Sequence, residues 1–152
     1  MSDALHAMPE GDVVGLAAPF GTFAIKEKSA VLVLISAGIG VTPMKSFLSS
    51  HPDQIAFALH VDRNEESHAF KEEFANAVAS KFIYTQDVGR PSPEALVEHL
   101  QSYLKDCDFF ICGPTPFLTS TTAALTAAGA TVYRDIFGAD LARDKDQPNY
   151  LV

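Results

Sequence analysis

The sequence predicts an α/β fold, a five-stranded parallel sheet with helices on both faces. Short apolar runs alternate with helical segments from Ala30 onward, and each apolar run stops at a glycine or a polar residue. This alternation is typical of right-handed βαβ units and a parallel sheet. With 152 residues, 47% of them hydrophobic, the chain is large enough to form one domain with its own core.

Five strands and four helices are predicted in order along the chain. The apolar runs give strands at Ala30–Ser36, Ile55–Val61, Phe82–Thr85, Phe109–Cys112 and Thr131–Arg134. The helical patterns between them give Pro43–Ser49, His68–Ala79, Ser92–Leu100 and Pro116–Ala128, the last of which Gly129 ends. Asp12–Ala18 and Thr22–Ile25 are predicted as two further short strands, and the charged segment 26–29 separates them from the regular pattern.

The predicted topology also indicates where a ligand would bind. Ligands of open parallel sheets lie at the carboxyl ends of the strands, near the topological switch point. The turns that follow four of the strands are therefore expected to surround one crevice. These turns are Gly38–Thr42, Val61–Asn64, Thr85–Arg90 and Gly113–Thr115.

The first of these turns has the composition of an anion site. It consists of Gly38, Ile39, Gly40, Val41, Thr42 and Pro43. Thr42 is predicted to be the N-cap, and Pro43 the first helical residue, of a helix whose free N–H groups would hold a pyrophosphate. The sequence matches neither the Gly-x-Gly-x-x-Gly fingerprint nor the Walker loop. A tight strand–helix turn without a ligand is the alternative.

Two later segments add candidate binding residues. Arg63 could pair with a phosphate or stack on adenine, and Asp62 could accept a hydrogen bond from a ribose hydroxyl group, although a solvated helix-capping loop is the alternative. Cys112, followed by Gly113 and Pro114, would lie beside the crevice, although the local sequence alone favours a buried cysteine that acts as a small hydrophobe.

The last candidate residues are Phe137 and Gly138, just beyond the final strand. The aromatic ring of Phe137 could stack on a flat ligand or simply cover the edge of the sheet.

Several classes of protein are disfavoured. The net charge is -8 and basic residues are not clustered, so nucleic acid is not expected as a partner. No apolar segment is long enough to span a membrane, and the first residues lack the features of a signal peptide, so a cytoplasmic location is expected. No recognisable Ser-His-Asp arrangement supports a hydrolase.

Cysteine and histidine usage points to neither a disulfide nor a metal site. On one strand Cys107 and Cys112 would lie about 16 Å apart, too far for a disulfide. No Cys or His spacing resembles a metal centre, and His60 and His68 are the nearest pair of interest.

In combination and in order, these segments resemble the ferredoxin–NADP reductase superfamily, and most of all the reductase part of flavohaemoglobins, the nitric oxide dioxygenases. The resemblance covers nearly the whole chain. It is carried by Gly11–Val14 with Pro19-x-Gly21-x-Phe23, Ile35–Met44, His68–Phe70 with Glu73, Cys112–Pro114 and Phe137–Gly138.

The resemblance implies a hydride-transfer role, with NAD(P)H as donor and FAD as acceptor. The turn from Gly38 to Pro43 would hold the pyrophosphate, Cys112 and Gly113 would lie near the nicotinamide, and Phe137 with Gly138 would face the flavin. NADPH-using relatives bind the 2′-phosphate with a Ser-Arg pair that aligns here with Thr85 and Gln86, which Asp87 follows. Because a neutral amide and an acid suit a 2′-phosphate poorly, NADH is favoured. Arg63 or Arg90 would reverse this preference if either reached that phosphate.

The resemblance also predicts two domains of unequal completeness. Residues 1–29 would be the last strands of an incomplete FAD-binding β-barrel, and residues 30–152 the NAD(P)H-binding domain. Because the flavin motif Arg-x-Tyr-Ser/Thr is missing, FAD binding by this chain is expected to be weak or absent. The FAD domain and a globin domain of a parent protein are the expected partners, and exposed N-terminal strands would favour a homo-oligomer.

Two other functions stay open at this point. One is a non-catalytic nucleotide-binding module or subunit. The other is the reductase component of an oxygenase system.

Overall fold

A computed structural model of the protein describes residues 2–15, 23–25 and 30–136, and it contains all five predicted strands of the sheet. They are β1 (Leu32–Ala37), β2 (Ile55–Asp62), β3 (Ser80–Tyr84), β4 (Asp108–Gly113) and β5 (Thr131–Ile136). Every pairing is parallel, and the strand order is β3-β2-β1-β4-β5. Because the chain moves outward in opposite directions from β1 and β4, the switch point lies between these two strands.

Helices cover both faces of the sheet, as predicted. The helices are α1 (Ser2–His6), α2 (Val41–Ser50), α3 (Lys71–Ala77), α4 (Thr85–Val88), α5 (Pro93–Leu100) and α6 (Thr115–Ala127). Short 3₁₀ turns occupy Gly38–Gly40, Pro52–Gln54 and Gln101–Tyr103. The sequence predicted four of these helices and missed the two shortest, α1 and α4.

The sheet separates two hydrophobic clusters. All six residues of the central strand β1 are buried, as expected for a strand that is covered on both faces. On one side, alternate residues such as Val33 and Ile35 pack with residues from α5 and α6. On the other, Leu32 and Leu34 pack with residues from α2 and α3. This arrangement leaves the carboxyl edge of the sheet free for a ligand.

The helix predicted over His68–Ala79 is shorter than expected at both ends. The N–H of His68 donates to the carbonyl of Glu65 in a turn, at 3.2 Å, and its side chain is buried. Phe70 then adopts a left-handed conformation, with φ of 62°, before the helix begins at Lys71. At the other end Val78 is already extended, which leads the chain directly into β3.

The predicted end of β3 is also wrong by one residue. Thr85, expected to be the last residue of the strand, is instead the first residue of α4. This single turn of helix ends at Gly89, whose φ is 76° and whose N–H donates to the carbonyl of Thr85 at 3.0 Å. The turn directs the following segment back towards the end of β2.

The two predicted N-terminal strands fall partly outside the described residues. Residues 12–15 and 23–25 are not in strands, so those parts of the predictions are wrong, while residues 16–22 lie outside the description. Phe23 packs on the α2 side of the sheet, with its ring centroid 5.3 Å from that of Phe47 and 5.4 Å from that of Phe110. The boundary at residue 29 stays a prediction. Within the described segments, no helix has the length and apolar character needed to cross a membrane.

Candidate functional site

A crevice of about 560 Å³ opens at the carboxyl edge of the sheet. The strand ends contribute Ala37, Gly38, Val61, Asp62, Arg63 and Thr85. Its other wall is formed by Arg90, Pro91, Pro93, Leu96, Pro114, Pro116, Phe117, Ser120 and Thr121. The structure therefore brings together residues from all four predicted turns at the switch point.

Two glycines of the first turn have different physical roles. Gly38 lies in the crevice wall with a φ of 52°, and a Cβ added to it would meet no atom within 4 Å. A Cβ on Gly40, in contrast, would lie 2.8 Å from the nitrogen of Gly113 and even closer to the carbonyl group of Cys112. Gly40 is thus needed for packing of the turn against β4, whereas Gly38 leaves space that a ligand can enter.

The start of α2 differs from the prediction in a way that limits anion binding. A 3₁₀ turn over Gly38–Gly40 precedes the helix, so Gly40 is the N-cap. The hydroxyl of Thr42 instead donates to the carbonyl of Ile39 at 3.0 Å, and Pro43 is the third helical residue. The N–H of Val41 is already donated to carbonyl groups of the turn. Fewer backbone donors are therefore available than the sequence predicted.

Asp62 lies in the crevice wall within a set of hydrogen bonds. Its Oδ1 accepts from the backbone N–H of Arg63 and from the hydroxyl of Ser67, each at 2.7 Å, and its Oδ2 lies 3.2 Å from Nε2 of His60. Burial opposes ionisation, but these hydrogen bonds outweigh it and lower the pKa of Asp62. The carboxylate is consequently charged and held in place at neutral pH.

Arg63 and Arg90 bring positive charge to the same crevice. Both side chains are exposed, and neither guanidinium group makes a hydrogen bond or ion pair with any residue in the described ranges. The two arginines follow β2 and β3, on the side of the switch point away from β4. They offer an anionic ligand the side-chain contacts that the start of α2 does not supply.

Thr85 and Gln86 have separate positions although they are adjacent in sequence. Thr85 lies in the crevice wall. The N–H of Gln86 donates to the carbonyl of Arg63 at 2.9 Å, and its Oε1 accepts from Nδ2 of Asn64 at 3.3 Å. Gln86 therefore supports the loop that carries Arg63, and only Thr85 is placed to contact a ligand in the crevice.

Sequence reasoning missed a Ser-His-Asp hydrogen-bond chain. Ser36 Oγ lies 2.8 Å from Nδ1 of His60, whose Nε2 faces Asp62. The serine is only 3% exposed, so its hydroxyl cannot reach a substrate, and the structure offers no support for hydrolysis. The pairing of Ser36 with His60 across β1 and β2 brings the three residues together, and the sequence alone does not give this register.

The His60–His68 pair forms a buried stack beside this chain. Their ring centroids are 4.2 Å apart, and Nδ1 of His68 lies 3.2 Å from the hydroxyl of Tyr84. Burial lowers the pKa of both imidazoles, to about 4 for His68, which also feels the nearby His60. Among the residues that the structure describes, no group of three or more His, Cys, Asp or Glu side chains is arranged to hold a metal ion.

The wall formed by α5 and α6 was also not predicted. It presents prolines and the side chains of Leu96 and Phe117, so this side of the crevice is largely apolar. Thr121, which is almost fully buried, adds a hydroxyl group that makes no hydrogen bond within the described segments. A flat apolar group and a polar substituent would both find contacts there.

Comparisons with known proteins show which proteins the chain is similar to. The chain is 32% identical over 166 residues to the flavohemoprotein of Bacillus subtilis, which covers 93% of this chain and 42% of the relative. It is 32% identical over 155 residues to the flavohemoprotein of Rhizobium meliloti, with 86% and 38% covered. Over most of its length, the chain is homologous to the reductase part of flavohemoproteins, which is of ferredoxin–NADP reductase type. No protein-family model matches it.

A solved structure supports the same relationship for this flavohaemoglobin-type reductase domain. The fold superposes on the flavohem-like FAD/NAD binding domain of nitric oxide dioxygenase from Vibrio cholerae with a TM-score of 0.68 and 27% identity. The match covers 80% of this chain and 56% of that chain. The chain spans about two fifths of the length of the curated flavohemoproteins it matches.

Cys112 does not have the environment expected of a reactive residue in this reductase domain. Its side chain is fully buried in the cluster beneath α2 and is not part of the crevice wall. Burial raises the pKa of the thiol to about 12, and the charge of Asp135 adds to this effect. The thiol is therefore neutral at physiological pH, and its catalytic role stays a prediction. Cys112 and Cys107 are both free, as expected.

The remaining predicted site residues of the reductase domain divide into two groups. Pro114 lies in the crevice wall, and Gly113 lies directly behind it, where an added Cβ would be 3.0 Å from the ring of Phe117 and 3.1 Å from Cβ of Ala37. Phe137 and Gly138 lie outside the described residues, so their predicted contact with flavin stays a prediction.

Proposed function

We propose that the chain is the NAD(P)H-binding module of an FAD-dependent oxidoreductase of the flavohaemoglobin type, which passes hydride from NAD(P)H to flavin. The crevice at the switch point, with the open side of Gly38 and the guanidinium groups of Arg63 and Arg90, which pair with no described residue, is the observation that carries this proposal. The homology to flavohemoproteins supports it. The expected partners are a flavin domain and a globin domain of the parent protein, in the cytoplasm.

The residues around the crevice suit a dinucleotide. The volume of about 560 Å³ lies within the range of small-molecule sites. The backbone at Gly38 can approach a pyrophosphate, and Arg63 supplies the charge that an acidic protein otherwise lacks there. The nicotinamide half would then extend towards Gly113 and Pro114, and the adenosine half over β2 and β3.

The module would contribute binding and orientation rather than a reactive side chain. NAD(P)H, when bound, supplies a hydride, which consists of two electrons and one proton, and its loss leaves NAD(P)⁺. The protein holds the two halves of the dinucleotide on a rigid sheet edge, which fixes the direction of the reactive ring. Cys112 could support this arrangement by packing behind Gly113 without ionising.

NADH is the coenzyme that we favour. Thr85 keeps the hydroxyl group of the serine in the Ser-Arg pair of NADPH-using relatives, but Gln86 places a neutral amide where those relatives have the arginine. Gln86 is moreover occupied by its bonds to the neighbouring loop. For FAD, the residues expected to face the ring lie outside the described ranges. We therefore keep the expectation that this chain alone binds flavin weakly or not at all. Stoichiometric yellow flavin absorbance in the purified protein would contradict it.

Calorimetric titration with NADH tests the proposed site. Gly38→Ala adds a methyl group where the ligand is expected to approach, and Arg63→Ala removes one charge, so each should weaken binding about tenfold. Gly129→Ala is the matched control for Gly38, because Gly129 also has positive φ and open space but lies before β5. Equal affinities in wild type and both site variants would contradict the site. Gly40→Val is unsuitable because it disrupts packing.

A non-catalytic binding module is the second candidate, which the burial of Cys112 favours. The two functions differ in what happens when a separate flavin-domain protein is added. Only the reductase function predicts NADH-dependent reduction of an acceptor in that mixture. A module that binds NADH tightly but never supports reduction would be a sensor or a holding subunit.

A further inference from the structure

The Ser36–His60–Asp62 chain has a defined direction of hydrogen bonding. An ionised carboxylate can only accept hydrogen bonds. The proton on His60 is therefore assigned to Nε2, which donates a hydrogen bond to Asp62. Nδ1 of the neutral imidazole is then an acceptor, and it receives the hydroxyl proton of Ser36. Each member of the chain is thereby satisfied, and the chain runs from the buried strand β1 to the crevice.

The carboxylate at the end of this chain keeps capacity for a ligand. Three donors, from Arg63, Ser67 and His60, occupy three of about four lone-pair positions on the two oxygens. Among the described residues, Oδ2 is contacted by His60 alone, and Asp62 lies in the crevice wall. One further donor, such as a hydroxyl group of a ligand, can therefore be accepted at Oδ2.

We propose that Ser36 and His60 are positioning residues, which hold the carboxylate of Asp62 at the crevice as the acceptor for a ribose hydroxyl group. This inference rests on the proposed function, since it names the part of the dinucleotide that this side chain contacts. Asp62 ends β2, and the adjacent strand β1 ends at the turn of Gly38, about 4.8 Å away. A ribose one linkage from a pyrophosphate at Gly38 lies within reach of that position.

A consequence of this placement is discrimination between coenzymes. A fixed carboxylate accepts from a free 2′-hydroxyl group, but it repels a 2′-phosphate in the same position. Because three hydrogen bonds fix Asp62, it cannot easily turn away from an added phosphate. The crevice should therefore prefer the unphosphorylated ribose of NADH, although Arg63 and Arg90 line the same crevice.

The test compares NADH and NADPH affinities in a double-mutant cycle by calorimetry. Asp62→Asn should weaken NADH binding about tenfold, because the ribose hydroxyl loses its charged acceptor, and should strengthen NADPH binding, because the charge that repels the 2′-phosphate is removed. Ser36→Ala, which never contacts the ligand, should weaken NADH binding about threefold in the wild-type background. In the Asp62→Asn background it should have no further effect. Asp53→Asn makes the same charge change before β2, at the opposite edge, and should alter neither affinity.

Two results would overturn the proposal. In the first, Ser36→Ala weakens NADH binding equally with and without the Asp62 carboxylate, or weakens NADH and NADPH alike. In the second, nitrogen chemical shifts of the His60 imidazole place its proton on Nδ1 in the wild type. If the wild type binds NADH and either of these results is found, the inference about Ser36 and His60 is contradicted but the proposed function is not. Loss of all dinucleotide binding in the wild type would contradict the proposed function as well.

Discussion

Gly40 and Cys112 are in such close contact that no side chain fits between them. A Cβ on Gly40 would lie 2.5 Å from the carbonyl carbon of Cys112, which is well below van der Waals distance. This contact joins the turn after β1 to the end of β4, the two strands that flank the switch point. It therefore sets the shape of the crevice without contacting a ligand.

The first prediction follows from this contact. Gly40→Ala should lower the free energy of unfolding by about 2–3 kcal/mol, because a methyl group must displace backbone atoms of β4. Urea denaturation of this variant and of Gly15→Ala provides the measurement, since an added Cβ at Gly15 meets no atom within 4 Å. Equal stability of the two variants would show that the turn and β4 are not in contact.

The second prediction concerns Phe23, whose ring packs against the rings of Phe47 and Phe110. Phe23→Ala should lower the unfolding free energy by about 2–3 kcal/mol, because a cavity would form in the cluster on the α2 side. Val13→Ala is the control, since Val13 is 95% exposed. If both substitutions prove neutral in thermal unfolding, the segment before residue 30 is not part of the domain core.

The third prediction is a loss of stability with falling pH that originates at His68. Below its usual pKa of 6.5 this residue takes up a proton in the unfolded chain, but in the folded protein it does so only near pH 4. The unfolded state therefore binds more protons in this window, and the unfolding free energy falls as pH falls from about 6.5 to about 4.

Measured urea midpoints across that pH range check the assignment. His68→Phe should flatten the pH dependence, because the aromatic contact with Phe82 is kept while the titrating group is removed. His99→Gln, at an exposed position of α5, should leave the pH dependence of the wild type unchanged. An unchanged slope in His68→Phe would assign the effect to another group.

The fourth prediction concerns thiol reactivity. The buried, neutral Cys112 should resist iodoacetamide at pH 8 in the folded protein, while the partly exposed Cys107 reacts first. Mass spectrometry of the Cys107→Ser variant should then find no label until urea unfolds the chain. Rapid labelling of Cys112 in the folded variant would instead support an accessible thiol at the crevice.

The sheet could be predicted from the sequence because its strands are uninterrupted apolar runs. β1 is buried on both faces, so nothing in its composition competes with a strand over Leu32–Ala37. The helix boundaries depended on longer-range contacts. His68 fits a helical pattern, but its ring is drawn into the stack with His60, and the helix can start only after Phe70.

The candidate site was predictable to a similar extent. Glycine turns after apolar runs indicated the crevice, because the carboxyl ends of parallel strands meet at one edge. The positions of side chains within it were not predictable. Cys112 and Gly113 are adjacent, yet alternation along β4 turns the thiol into the core beneath α2. The link between Ser36 and His60 depends on strand register, which no local pattern specifies.

The most direct test of the central claim is an amide chemical-shift titration of the labelled protein with NADH. Binding in the crevice predicts the largest shifts at Gly38, Arg63 and Thr85, with little change at Asp53 and Gly129 on the opposite edge of the sheet. Saturable shifts confined to the crevice residues would establish the site. Shifts at the opposite edge, or no shifts at millimolar NADH, would contradict it.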